Sequence, residues 1–341
     1  MEYQTKTIVK KDLGSSMRGG LWTYLIVLLA FLFISCDKED DSHYQHDSSY
    51  IVLANGDSLS CSFQEYMSLQ PVAQGQGGAC YGDYFIQGYN KNEYITIYDL
   101  KEKKYLETLS IPEPSPSSKI HANTLNFGGQ KYDEKDYFPL LYVSSGYKIN
   151  NSFYIYVYRL KKDSKEEKGF SISLVQTISL SGFDGTWTEG VIDEENNFLW
   201  VVRYTGTGTG IVGYAKFNLP SIFDSEVEIS YKDHIQEFIL ANEPKSNKQG
   251  HLLKNNRMLL VAGIPQKGQM LSFISINTQT EQRELNLDLR EVGLHNYDVD
   301  NYFEPENLFF YNNQLMIGYR KVVYILNIQK VKNGVKSNYF S

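Results

Sequence analysis

The sequence predicts an all-β chain folded as a five-bladed β-propeller of four-stranded blades. Three observations predict it. Short apolar or alternating runs recur along the chain, with no long helical periodicity between them. Aromatic residues reach 14%, with 27 Tyr and 18 Phe, a composition that favours strands. A doubled asparagine precedes three of the runs, at Asn196-Asn197, Asn255-Asn256 and Asn312-Asn313, at intervals of about 57–59 residues.

Composition narrows the classes further. The chain has 341 residues, 42% hydrophobic and 21% charged, which is ordinary for a globular protein. Its net charge of -7 argues against a nucleic-acid partner, whose phosphates need a basic face. Three cysteines are too few for a disulfide scaffold or a four-cysteine zinc site.

Residues 1–35 are expected to be a targeting segment rather than part of the fold. Lys10, Lys11 and Arg18 precede an apolar run over 21–35. That run is shorter than the ~20 residues a membrane-spanning helix needs. It ends at Ser35-Cys36 and turns acidic at Asp37, Glu39, Asp40 and Asp41. Met17-Arg18 lies just ahead of the run and is the expected start of the export signal. A basic region, a short apolar stretch and a small residue before cysteine resemble a bacterial lipoprotein signal peptide. The resemblance implies cleavage before Cys36, lipid on its thiol and its new amino terminus, and attachment to a membrane. Asp37-Lys38-Glu39-Asp40-Asp41 resembles the acidic export tract of Bacteroidetes surface lipoproteins. It implies a lipid anchor in the outer membrane, with the protein facing the cell surface. Residues 36–48 then form an acidic polar tether.

The propeller is expected over residues 49–330, with 331–341 as a C-terminal tail. Strand-like runs fall at 84–89, 94–98, 140–144, 153–158, 198–204, 211–217, 258–262, 270–276, 314–319 and 322–328. Asparagine tolerates the left-handed backbone of a tight hairpin, so the doubled asparagines mark equivalent turns. Gly82-Asp83 takes the matching place in the first unit. Six or seven residues ahead of each of these turns stands a short polar signature: Gln76-Gly77-Gly78, Glu189-Gly190, Gln249-Gly250-His251 and Glu304-Pro305-Glu306. His121-Ala122-Asn123 fills the remaining unit. The result is five units, somewhat longer than the ~40–50 residues of a common blade. The last has three strands of its own, and a strand from 50–54 or 59–63 would complete it and close the ring. Rivals are a six-bladed ring with one degenerate blade and a pair of β-sandwiches.

Each signature opens the first strand of a blade, the strand that lines a propeller's channel. Gln76, His121, Asn123, Glu189, Gln249, His251, Glu304 and Glu306 are therefore expected to converge on one channel mouth and to bind a ligand there. The Gln-Gly, His and Glu-Pro-Glu signatures over residues 74–328 resemble bacterial five-bladed propellers of the helveticin J and teichoic-acid-biosynthesis-protein-C kind. Asn307 stands where that pattern has glycine. The resemblance implies the fold and a polar channel site, not a reaction.

Enzyme motifs are few. There is no P-loop, no Gly-x-Ser-x-Gly elbow and no His-Glu-x-x-His. Thr205-Gly-Thr-Gly-Thr-Gly210 lies between two strands, without the helix a dinucleotide site requires. Paired carboxylates of a glycoside hydrolase would have to come from Glu189, Glu304 and Glu306, an incomplete set around five blades. The bland alternative is a hydrogen-bonded polar ring. No metal site is assigned and no cofactor is expected. Asp298 and Asp300 beside Glu304 and Glu306 could suit calcium, but acidic runs are mostly solvated loops. Tyr81, Tyr84, Tyr89, Trp187, Trp200, Tyr204 and Tyr214 are candidates to stack on sugar rings, against the commoner role of packing blades together. Cys61 and Cys80 are left as two buried thiols or a disulfide. The leading function is a surface propeller binding a glycan or an outer-membrane protein partner; a glycoside hydrolase and a structural subunit of an outer-membrane assembly are the alternatives.

Overall fold

The computed structural model describes residues 49–52, 58–69, 75–92, 94–112, 120–122, 124–163, 169–204, 212–240, 246–264, 269–291, 304–319 and 321–340. Residues 1–48, Asn123, the 205–210 loop, Asp298 and Asp300 lie outside this set.

The chain opens with β1 (Ser49–Val52) and β2 (Ser58–Ser68). The first blade follows as β3 (Gly75–Tyr81), β4 (Tyr84–Asn92), β5 (Tyr94–Asp99) and β6 (Lys104–Ser110), with short β7 (Ile120–His121) on the far end of β4. The second is β8 (Leu125–Phe127), β9 (Leu141–Ser144), β10 (Phe153–Lys162) and β11 (Phe170–Ser181). The third is β12 (Trp187–Asp193), β13 (Phe198–Tyr204), β14 (Val212–Asn218) and, after an excursion through β15 (Glu226–Ser230), β16 (Gln236–Ile239). The fourth is β17 (Lys248–Lys254), β18 (Arg257–Ala262), β19 (Ser272–Asn277) and β20 (Gln282–Asp288). The fifth takes β21 (Pro305–Tyr311), β22 (Gln314–Tyr319) and β23 (Val322–Lys332), and β2 completes it.

That completion is the closure expected from the sequence. β2 pairs antiparallel with β23 from Ser58↔Val331 to Ser68↔Val322, and β1 adds an outer strand. Joining both ends of the chain in one blade removes a seam and shields a sheet edge. β24 (Val335–Asn338) folds back on β23 and carries Tyr339 and Phe340 into the core. The residues read as a tail thus hold part of the last blade together. β15 runs parallel to β11 and straps the third blade to the outer edge of the second. Its Glu226-Val-Glu-Ile-Ser pattern is too short and too charged to stand out as a strand in sequence.

Five hydrophobic clusters fill the five interfaces between neighbouring blades. Alternation within one strand shows how. In β18, Met258, Leu260 and Ala262 face the third blade, whereas Leu259 and Val261 face the fifth. A strand buried on both faces must be apolar throughout, hence the unbroken run Met-Leu-Leu-Val-Ala. The cluster holding Phe85, Tyr98, Phe309 and Val323 joins the fifth blade to the first and completes the ring. A sixth blade has no interface to occupy.

The turns obey the expected chemistry at two of the three doubled asparagines. Asn255, Asn256, Asn312 and Asn313 all have φ between 49° and 60°. At Asn196-Asn197 only Asn197 is left-handed; Asn196 donates its amide to the Asp193 carboxyl in a longer turn.

Candidate functional site

The first strands β3, β8, β12, β17 and β21 bring the signatures together, but in a buried cluster rather than on an open mouth. Gln76, Glu189, Gln249, His251 and Glu306 are each between 0 and 6% exposed. Two hydrogen-bonded groups form. Gln76 Nε2 donates to Glu306 Oε1 at 3.3 Å, tying the first blade to the fifth across 230 residues of sequence. Glu189 ties the second, third and fourth blades. Its Oε2 accepts from the Thr124 hydroxyl at 2.6 Å and lies 2.7 Å from His251 Nδ1, and its Oε1 accepts from the Trp187 indole N–H at 2.8 Å. When Nδ1–H donates to Glu189, His251 presents Nε2 as an acceptor, and that buried atom has no hydrogen-bond partner. Such an atom costs about 1–3 kcal/mol unless water or a ligand meets it.

The glycines of the signatures have a structural purpose that sequence reasoning missed. A Cβ on Gly250 would lie 2.5 Å from Asn307 Cα, so the fourth and fifth first strands touch backbone to backbone. Five blades leave a narrow axis, and only a residue without a side chain permits that approach. Asn307, where the resembled pattern has glycine, fits because Gly250 and Gly318 leave room around it; its Nδ2 donates to the Gln76 carbonyl at 3.0 Å.

Two expected residues sit elsewhere. His121 belongs to β7, paired with β4, and not to the first strand of the second blade, which is β8. Its half-buried ring packs edge-on against Trp187 at 4.8 Å and Tyr147 at 5.5 Å. Glu304 is half-buried just ahead of β21, one residue outside the strand. Where the strands start explains both: β8 begins at Leu125 and β21 at Pro305, after His121 and Glu304 respectively. Thr124 was missed because a threonine carries no motif.

The aromatic candidates divide by burial. Trp200, Tyr204 and Tyr214 are interior and pack the third blade against the fourth, whereas buried Tyr89 packs on Tyr94 and bonds Thr96 within its own blade. Trp187 is half-exposed. It shares a face of β12 with Glu189, two residues nearer the strand start, and stacks edge-on with Tyr147 at 4.3 Å. Tyr147 is 53% exposed. A rim of Trp187, Tyr147 and His121 therefore lies over the Glu189–His251 pair.

Cys61 and Cys80 are both free thiols. Burial pushes each up to about 12, with Asp83 and Glu194 adding to the rise at Cys80, so neither is a nucleophile near neutral pH. Among the described residues no group of three His, Cys, Asp or Glu is placed to hold a metal. None of their helices is long and apolar enough to cross a membrane.

Sheet order and the five interfaces define the protein as a five-bladed β-propeller. No family model and no curated protein matches the sequence. Among solved structures, the chain is similar to the PQQ-bound aldose sugar dehydrogenase of Streptomyces coelicolor, at 10% identity over 79% of this chain and 98% of that one, with a TM-score of 0.44. It is also similar to glutaminyl cyclase of Myxococcus xanthus, at 8% identity over 79% and 97% of the two chains, with a TM-score of 0.49. A protein of unknown function from Bacteroides caccae matches at 12% identity over 71% and 69%, with a TM-score of 0.35. At these values the likenesses carry no functional argument.

Proposed function

We propose that the protein is a lipid-anchored surface propeller that binds a carbohydrate at the channel end rimmed by Trp187, Tyr147 and His121. One observation carries this: a partly exposed aromatic rim, with Tyr147 the most open of the three, lies over a buried polar pair. Aromatic faces take the apolar faces of sugar rings, and their polar edges meet hydroxyls. Trp187 is held in place by its N–H bond to Glu189. Below it, with Nδ1–H directed at Glu189, His251 keeps Nε2 as a buried acceptor without a hydrogen-bond partner.

Hydrolysis is less well supported. Paired-carboxylate chemistry needs two acids facing each other across a substrate. Glu189 and Glu306 instead each bond to residues of neighbouring blades. The anchor fits the ring's layout. β1 is the outermost strand of the closing blade, so a tether ending at residue 48 would leave from the outer wall and keep the channel ends free.

Titration of a glycan array and calorimetry on its hits test the binding. Trp187→Ala should weaken affinity about tenfold, or ~1.4 kcal/mol, whereas Tyr105→Ala, on a remote exposed tyrosine, should not. Binding to a protein partner with no glycan hit, or glycan binding indifferent to Trp187→Ala, would overturn the carbohydrate assignment. For the anchor, Cys36→Ala should move the protein from the membrane fraction to the soluble one; retention would refute lipidation.

A further inference from the structure

The three rings of the rim stand nearly perpendicular to one another. Trp187 meets Tyr147 at 79° and His121 at 84°, and His121 meets Tyr147 at 79°. No two of them make a flat platform, so a sugar ring can lie flat on only one at a time. Tyr147, 53% exposed, is the most open of the three.

One short turn between β9 and β10 reaches all three rings. The Ser145 carbonyl accepts from the His121 N–H at 3.2 Å and from the Tyr147 N–H at 2.9 Å. The Gly146 carbonyl accepts from the Thr188 N–H at 3.1 Å, a bridge to β12 beside Trp187. Ser145 is itself fixed to β10: its N–H donates to the Tyr154 carbonyl at 2.8 Å, and its hydroxyl accepts from the Tyr154 N–H at 3.1 Å. The turn thus joins strands of the first, second and third blades.

Gly146 meets two separate demands. A bond from the N–H of residue 147 to the carbonyl of residue 145, around a central φ of 72°, is the rarer kind of γ-turn, which a side chain strains. A Cβ there would also lie 2.6 Å from Trp187 Cζ2 and 2.7 Å from its Cη2. The six-membered ring of the indole therefore rests on the glycine, while its N–H is held by Glu189 at 2.8 Å. Two fixed points seat the indole, and the Tyr147 ring packs on it with centroids 4.3 Å apart. Rings held in this way lose little freedom when a ligand arrives.

We propose that the Ser145-Gly146-Tyr147 turn determines recognition at this rim: Tyr147 is the ring on which a sugar stacks, and Gly146 is the positioning residue that seats Trp187 against it. The part given to Tyr147 rests on the carbohydrate reading; the seating of Trp187 by Gly146 does not.

The test labels the full chain with fluorotryptophan and reads it by fluorine NMR, the Trp187 signal being assigned by its loss in Trp187→Phe. Gly146→Ala should move that signal and leave the signal of buried Trp200 in place. Gly146→Asn, which tolerates the left-handed backbone yet still carries a Cβ, should do the same. Gly334→Ala is the control: its φ is 78° and nothing lies within 4 Å of the added Cβ, so the Trp187 signal should stay. Against the tightest-binding oligosaccharide of the glycan array, Gly146→Ala should weaken affinity at least about fivefold, or ~1 kcal/mol. Combined with Trp187→Ala it should cost less than the product of the two separate losses, because both act through one ring. Tyr147→Phe keeps the ring and should bind within about twofold of the parent; Tyr147→Leu, apolar without the ring, should bind at least about fivefold more weakly. A Trp187 signal unmoved in both Gly146 variants overturns the proposal, as do independent losses or Tyr147→Leu binding as tightly as the parent. Binding that needs Trp187 but ignores Gly146 overturns the positioning and leaves the carbohydrate reading standing. If no carbohydrate binds the parent, that reading and the role of Tyr147 fall together, and the fluorine signal alone decides on Gly146.

Discussion

Glu189→Gln is close to isosteric and tests what holds the second, third and fourth blades together at the axis. The native carboxyl accepts at both oxygens, from Trp187 on one side and from Thr124 and His251 on the other. An amide can accept at one end only. If its oxygen faces Thr124 and His251, its NH2 meets the Trp187 indole N–H, donor against donor. If its oxygen faces Trp187, its NH2 points at His251 Nδ1, which must become the acceptor. That tautomer places a proton on Nε2, a buried atom with no acceptor to receive it. Either arrangement leaves at least one donor without an acceptor, at about 1–3 kcal/mol. Glu189→Leu strands three partners at once, and should cost at least about 4 kcal/mol. At roughly 2 °C per kcal/mol for a domain of this size, the two variants should melt about 4 °C and at least 8 °C below the parent. Urea unfolding followed by tryptophan fluorescence gives the free energies directly, with Trp187 as a local reporter. The reasoning is refuted if Glu189→Gln falls within about 0.5 kcal/mol of the parent, the range of an ordinary surface substitution. It is equally refuted if Glu189→Leu is no worse than Glu189→Gln.

Gly250→Ala should destabilise by about 1–3 kcal/mol or more, because its Cβ meets Asn307 Cα and backbone yields poorly; a melt unchanged from the parent would show that the strands can part. Deleting residues 49–68 should prevent folding, judged by far-UV dichroism and gel filtration. It removes Leu59, Cys61, Phe63 and Met67 from two blade interfaces, and at ~1.5–3 kcal/mol each these approach a domain's whole stability. Deleting residues 36–48 should leave the melt unchanged. Acid should cost stability through Asp136. Desolvation alone would raise its carboxyl, but the Arg159 hydrogen bond at 2.7 Å and charge outweigh it and hold it below the ordinary 3.8. A depressed value means the contribution is complete above pH 3.8 and disappears as pH falls through the lower folded value, so Asp136→Asn should flatten the melting curve's acid limb relative to the parent.

What the sequence determined by itself is everything set by neighbours along the chain. Asn255-Asn256 and Asn312-Asn313 specify left-handed turns because the backbone preference of asparagine is local. The unbroken apolar run of β18 specifies a strand buried on both faces, because alternation sends its residues to two different interfaces. From turns and runs at a steady period came the five blades and the need for an amino-terminal strand to finish the last. Tertiary structure decided what happens at the axis. Glu189 meets His251 across 62 residues and Gln76 meets Glu306 across 230, and no local pattern encodes such a pairing. His121 looked equivalent to the other signatures, yet the pairing of β7 with β4 moved it from the axis to the rim. Gly250 stands in the Gln249-Gly250-His251 signature, yet it is the close approach of β21 that requires a glycine there. A ring closes only when all five blades are present, so contacts at its centre depend on the whole chain at once.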